Sequence, residues 1–285
     1  MNGNAESTVV QKKEEAKLRT DKARWMPSLK ALMPPLAALI LFVGIWEFGV
    51  RIFQIPHYIL PTPWAIVNAA IENWSSLLNA LSVTILESII GFVLSVVGGV
   101  SAAILMASSK WVERSLYPYA VILQTIPVVA VAPIVVIWFG SGMNSIVIIT
   151  FLIGFFPMLS NTLIGLNATD KDMINLMKLY KASRMQVMWK VRVPYALPYI
   201  TAGLKISCTL AVIGAIVGEY VSGIGGGDGG IGYAITVSAA RMETAYLFAC
   251  GIAASLLGIV FFLLINAFSK WVLGSWHESE MENKD

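Results

Sequence analysis

Six stretches of the chain are long, apolar and nearly free of charge: Met33–Val50, Leu81–Met106, Leu116–Phe139, Ser145–Leu166, Leu197–Tyr220 and Ala245–Phe268. A helix needs about 20 mostly apolar residues to cross roughly 30 Å of hydrocarbon. The pattern therefore predicts an all-α membrane protein with six transmembrane helices. Leu60–Leu78 is too polar to span; Pro61 and Pro63 open it, and Trp64 and Trp74 suit an interface, so it reads as an amphipathic helix on the outer surface. Between the fourth and fifth stretches the apolar positions Met173, Leu176, Met177 and Tyr180 fall at helical spacing. After the polar break Lys181–Arg184 the pattern resumes at Met185, Val187, Met188 and Val191, which predicts two short amphipathic helices joined by a turn.

Composition sharpens this. The chain is 57% apolar, only 13% charged and has a mean hydropathy of +0.73, against roughly 25% charged residues in soluble domains. The net charge of +3 is an average over clusters at the two ends and in the long loop, so it does not point to nucleic acid. With the N-terminus inside, 17 of the 20 Lys and Arg fall on one side, and only Arg51, Lys205 and Arg241 are left over. The positive-inside bias places both termini and the loop in the cytosol. The expected organisation is a cytosolic tail over residues 1–32, a six-span domain over 33–270 with its loop at 167–196, and a cytosolic tail over 271–285. The start of the chain lacks the short basic head and small-residue cleavage site of a secretory signal, so the first span reads as uncleaved.

Little in the spans looks like chemistry. Cys208 and Cys250 lie in apolar text and lack metal spacing; no cofactor, metal site or catalytic set is expected. Glu47 and Arg51, four apart, can pair on one helix face. Pro118, Pro127 and Pro133 interrupt the third span, with Gln124 and Thr125 beside the middle one, which makes Gln124, Thr125, Pro127 and Pro133 candidates for a path or its gate. Gly214 and Gly218 form a G-x3-G face for close helix approach. Glu219 ends the fifth span near the outer interface and is a further gate candidate. Glu87, two turns inside the second span, requires a partner or water, and Lys205 is poorly placed to serve. Gly225, Gly227 and Gly230 fit G-x-G-x-x-G, but after a span rather than a strand, so a flexible outer loop is expected and not a dinucleotide site. No repeat or inverted duplication is apparent.

The long loop carries a resemblance. Membrane subunits of bacterial ABC importers have the pattern E-A-A-x3-G-x9-I-x-L-P, and the same register here reads Asn175, Leu176, Met177, then Lys181, then Val191, Val193 and Pro194. The flanking text resembles the nitrate, taurine and sulfonate permease branch: Leu60-Pro61-Thr62-Pro63, Ile126-Pro127-Val128, Ala132-Pro133, Trp138-Phe139-Gly140, Ala182-Ser183-Arg184, Ala196-Leu197-Pro198-Tyr199, Gly203-Leu204-Lys205, and Gly218-Glu219-Tyr220 before Gly230-Ile231-Gly232-Tyr233.

That resemblance implies a multi-pass permease subunit in a bacterial inner membrane. It implies a second permease copy as a homodimer, two cytosolic ABC ATPase subunits and an extracytoplasmic substrate-binding protein. The chain has no G-x4-G-K-[ST] phosphate cradle, so ATP hydrolysis belongs to a partner. The ATPase-coupling residues implied are Asn175, Leu176, Met177, Lys178, Lys181, Ala182, Ser183, Val191, Val193 and Pro194. Asn175 stands where the family has Glu. Lys181 replaces its Gly, and a left-handed turn kept there costs about 1–2 kcal/mol. The text Thr209–Tyr220 resembles permeases for riboflavin or thiamine pyrimidine precursors, with nitrate, sulfonate and taurine as the other options. The alternative is an ion-gradient-driven carrier or channel, for which Glu87 and Glu219 alone would make a poor ion site.

Overall fold

A computed structural model of the chain describes residues 29–222 and 229–273, with side chains from residue 33. Both tails up to those limits, and Gly225 and Gly227 of the glycine-rich stretch, lie outside the described residues. Within them all regular structure is helical: α1 (Leu29–Ile52), α2 (Pro63–Glu72), α3 (Trp74–Ser108), α4 (Lys110–Thr125), α5 (Val128–Phe139), α6 (Met143–Asn167), α7 (Lys171–Leu179), α8 (Arg184–Val187), a π-helical turn (Met188–Arg192), α9 (Val193–Ser222), α10 (Ile231–Ala240) and α11 (Thr244–Leu273). Five helical runs are long and apolar enough to cross a membrane, and α4 with α5 makes a sixth if that bent pair counts as one.

The chain divides into two compact units, Met1–Trp64 and Ala65–Asp285. In the first, Leu39, Ile40, Leu41, Phe42, Ile45 and Phe48 of α1 are all more than half exposed. An apolar helix uncovered by protein suits lipid. The expected pair is present: Arg51 Nε donates to Glu47 Oε1 at 2.6 Å.

In the second unit α6 is the central helix, packed along both α3 and α9. Small residues make this possible. A Cβ at Gly214 or Gly218 would come within 2.9 Å of the Thr150 Cα or 3.1 Å of the Ile146 Cα, so the G-x3-G face of α9 lies directly on the α6 backbone. Hydroxyls tie the same helices: Ser207 Oγ donates to the Gly154 carbonyl at 2.8 Å, and Ser95 Oγ lies 2.9 Å from that of Phe151. At the loop end Ala103, Met106, Leu159, Leu163, Met188 and Ala196 form an apolar core.

Three expectations need correction. The third span is not one straight helix: α4 and α5 meet at 96°. Pro127 has no N–H to donate and holds Ile126 in the extended region (φ −72, ψ 123), which ends α4 at Thr125. The interfacial helix is shorter than Leu60–Leu78. It covers Pro63–Glu72, Asn73 breaks it with non-helical φ −106 and ψ 25, and Trp74–Leu78 already belong to α3. Finally, the second loop helix is not a separate element: residues Arg184–Ser222 run without a gap. Pro194 cannot donate to the Lys190 carbonyl, and the chain absorbs that loss as a π turn in which the Val193 N–H reaches Met188.

Candidate functional site

The loop between α6 and α9 is locally over-determined. Asp170 opens α7, its side chain accepting from the Asp172 N–H at 2.9 Å. The helix closes with paired bonds, Lys181 N–H to the Lys178 carbonyl at 2.9 Å and Ala182 N–H to that of Met177 at 3.0 Å. This is a Schellman ending, and it demands a left-handed residue at position 181. Lys181 supplies it at φ +54. The turn expected of the family's glycine is thus kept with a lysine. One residue past Ala182 a capping box starts α8: Gln186 N–H donates to Ser183 Oγ at 3.2 Å and Ser183 N–H to Gln186 Oε1 at 2.7 Å.

The predicted loop residues separate into two groups. Asn175, Leu176, Lys178, Lys181 and Ser183 are exposed, whereas Met177, Ala182, Val191, Val193 and Pro194 are half-buried against the chain itself. The uncovered apolar face is Met173, Leu176, Leu179 and Tyr180, the last two about 80% exposed.

Sequence reasoning counted Arg192 only as one cation among six. Its guanidinium joins three segments: Nη1 donates to the Ala107 carbonyl at 2.7 Å, Nε to that of Leu166 at 3.0 Å, and Nη2 to Asn167 Oδ1 at 2.9 Å. Ala107 and Leu166 lie in the last turns of α3 and α6, where carbonyls lack helical donors and carry partial negative charge. Asn167 Nδ2 passes the chain on to Glu113 Oε1 of α4 at 2.7 Å. The sequence signal was Arg192 itself, a cation in half-buried register immediately before Val193-Pro194.

A second cluster lies at the far end of α9, about 40 Å along the helix from Arg192 at 1.5 Å per residue. Glu219, only 2% exposed, accepts from Thr84 Oγ1 at 2.6 Å and from the Gly232 N–H at 2.5 Å, while the Ile231 N–H donates to Thr84 Oγ1 at 2.9 Å. The carboxylate and hydroxyl thus cap the N-terminus of α10. A Cβ on Gly230 would run into the Glu219 carboxylate and Thr84 Oγ1, which requires glycine at this close approach. The Glu87 carboxyl lies in the same buried cluster, close enough to that of Glu219 for the two acids to interact, and its Oε2 is buried without a partner. The ionisable group beside Glu87 is thus Glu219, from the opposite end of another span, and not Lys205.

The remaining candidates cluster at the α4–α5 break. Gln124 sits exposed on the last turn of α4, Thr125 turns its hydroxyl back to the Ile122 carbonyl at 2.7 Å, and Pro127 starts α5. Pro133 lies inside α5, which packs Ala132 and Val135 on Ile149 of α6. Glu219 belongs to the separate α10 cluster. Among the described residues no group of His, Cys, Asp and Glu could hold a metal ion.

Residues 95–274 match the family described as the binding-protein-dependent transport system inner membrane component. The chain belongs to that family. It is similar to a formylaminopyrimidine transport permease protein of Halalkalibacterium halodurans, 38% identical over 89% of this chain and 99% of the relative. A probable ABC transporter permease protein of Haemophilus influenzae is 36% identical over 76% of this chain and 87% of its own length. A riboflavin transport system permease protein of Chloroflexus aurantiacus is 31% identical over 87% and 91%. With its apolar helices, the chain is a multi-pass bacterial inner-membrane ABC permease of the nitrate, taurine and sulfonate branch.

Proposed function

We propose that the chain is the permease subunit of an ATP-driven, binding-protein-dependent importer working by alternating access, with both termini and the loop 167–196 in the cytosol. Two copies form the path, two ABC ATPase subunits sit below, and a binding protein delivers substrate from outside. The observation that carries this reading is the α7 face: a charged loop with rigid ends that leaves Leu176, Leu179 and Tyr180 uncovered. Such a patch on a rigid element suits a protein interface. We assign ATPase coupling to Asn175, Leu176, Met177, Lys178, Lys181, Ala182 and Ser183, with Val191, Val193 and Pro194 holding the element to the bundle. The break at Gln124, Thr125 and Pro127, with Pro133, is assigned to the path, and Glu219 to the outer gate through its hold on α10.

For the substrate, the similarity to permeases named for formylaminopyrimidine and riboflavin favours a heterocycle over nitrate or a sulfonate. Reconstituted in proteoliposomes with its ATPase and binding protein, the chain should support uptake that needs ATP and ignores ionophores. Uptake by the chain alone under a proton or sodium gradient would make it a secondary carrier instead.

A further inference from the structure

The path needs a place where substrate pauses, and the α4–α5 break offers one. A cavity of about 360 Å³ opens between the end of α4, the start of α5 and the middle of α6, a volume within the range of small-molecule sites. Its polar groups come from Gln124, Ser160 and Asn161, and none of its lining residues is charged. Asn161 spends one amide hydrogen on the Pro157 carbonyl at 2.8 Å. Its second N–H and its Oδ1 remain, as do the Gln124 amide and the Ser160 hydroxyl. Pro157 has no N–H, which frees the Ile153 carbonyl of the same wall from its helical bond. Phe156, held edge-on by Phe155 at 5.1 Å, contributes an aromatic ring.

These groups select by chemistry. An anion entering would leave water without meeting a cation, a strongly unfavourable exchange. An amide instead offers a donor beside an acceptor, the arrangement that reads an amino group next to a ring nitrogen, as Asn and Gln read adenine. An aromatic ring adds stacking. We propose that this cavity is a substrate station within the membrane path, built for a neutral, planar aminopyrimidine-type heterocycle, with Gln124 and Asn161 reading its edge and Phe156 stacking on its face. The proposal rests on the permease reading above.

The test uses the full importer in proteoliposomes, with formylaminopyrimidine and methanesulfonate as probes. Wild type should take up formylaminopyrimidine with ATP, and Gln124→Leu and Asn161→Leu should each lower that uptake about tenfold or more. In a Ser160→Cys importer, N-ethylmaleimide should label the new thiol, since Cys208 and Cys250 are fully buried. Formylaminopyrimidine should slow that labelling and methanesulfonate should not. A thiol that is never labelled, or is unprotected by formylaminopyrimidine, overturns the station whatever the transport losses, and guards against variants that merely misfold. Wild-type uptake by both leucine variants overturns it while the permease reading stands. ATP-driven uptake of methanesulfonate in place of formylaminopyrimidine overturns the substrate class. If no uptake depends on ATP, the permease reading itself fails and this inference with it.

Discussion

Arg192→Ala should loosen the loop from the bundle, and its cost can be worked from the contacts. The substitution strands the Ala107 and Leu166 carbonyls at two helix ends and removes the donor to Asn167 Oδ1. Hydrogen bonds to a charged donor are worth about 1.5–3 kcal/mol each. The site is only part-buried and water can replace the exposed Asn167 contact, so the low end applies to the two carbonyls, giving about 3 kcal/mol. At about 1.4 kcal/mol per factor of ten, amide exchange over residues 184–193 should accelerate about 100-fold where local opening governs it. Arg192→Lys keeps the charge but not the fork. One ammonium cannot serve three acceptors held in that geometry, so about half the loss should persist. Hydrogen exchange by mass spectrometry on the nanodisc-embedded complex reads both variants, with ATPase pull-down as the functional arm. Wild-type exchange in Arg192→Ala would show that the guanidinium does not hold these segments together, and an Arg192→Lys variant equal to wild type would show that charge alone suffices.

Lys181→Gly should preserve or improve assembly, because relief of the left-handed strain, about 1–2 kcal/mol, exceeds the extra chain entropy of glycine, about 0.5–1 kcal/mol; weaker ATPase capture would instead mean that the lysine grips the partner. Leu176→Asp and Tyr180→Asp should release the ATPase in pull-down or leave it hydrolysing without transport, whereas Lys178→Ala should be mild, since exposed ion pairs contribute about 0–1 kcal/mol. Normal coupling in both Asp variants would remove α7 as the docking face. Glu219→Gln should speed exchange at Ile231–Ala234 and alter substrate-stimulated ATP hydrolysis with assembly intact. The new amide keeps one acceptor for the Gly232 N–H but forces the Thr84 hydroxyl to turn to the Ala80 carbonyl at 3.1 Å and brings a second N–H into the buried cluster, where an unsatisfied donor costs about 1–3 kcal/mol; unchanged stimulation and exchange would reduce Glu219 to a packing residue.

The spans were legible because burial in lipid demands long apolar runs, and five of the six appear as single helices. The loop was legible for the same local reason: α7 follows the Met173, Leu176, Met177 spacing, and the Tyr180–Ser183 turn sits where polarity broke the pattern. What could not be read was anything that depends on two distant segments meeting. Arg192 looked like another surface cation because its acceptors are backbone carbonyls of Ala107 and Leu166, which carry no sequence signature. Glu87 looked isolated because the acid beside it lies 132 positions away, and only the packing of α3 against α9 brings Glu219 alongside. The 96° bend was under-read for a different reason. Pro127 was visible as an interruption, but whether a proline kinks a span or turns it depends on what the freed ends pack against, here Ala132 and Val135 on Ile149.

Helix α9 follows directly from a cation at its start and bears a carboxylate near its end, and each is set against a helix terminus of the opposite partial charge. Arg192 sits on the C-terminal carbonyls of α3 and α6, and Glu219 sits on the N-terminal amides of α10. Between them the contacts are short-range ones: glycine against backbone at Gly214 and Gly218, and a hydroxyl to a carbonyl at Ser207. In lipid such packing and hydrogen bonding replace the hydrophobic effect as the force between helices, and the polar ends fix where the helix stops sliding. A sign change at either end would place like against like, because the termini themselves cannot adjust their charge. Arg192→Lys and Glu219→Asp therefore isolate geometry, while Arg192→Ala and Glu219→Gln also remove charge, and the difference between the two kinds of substitution measures how much of the hold at each end is electrostatic.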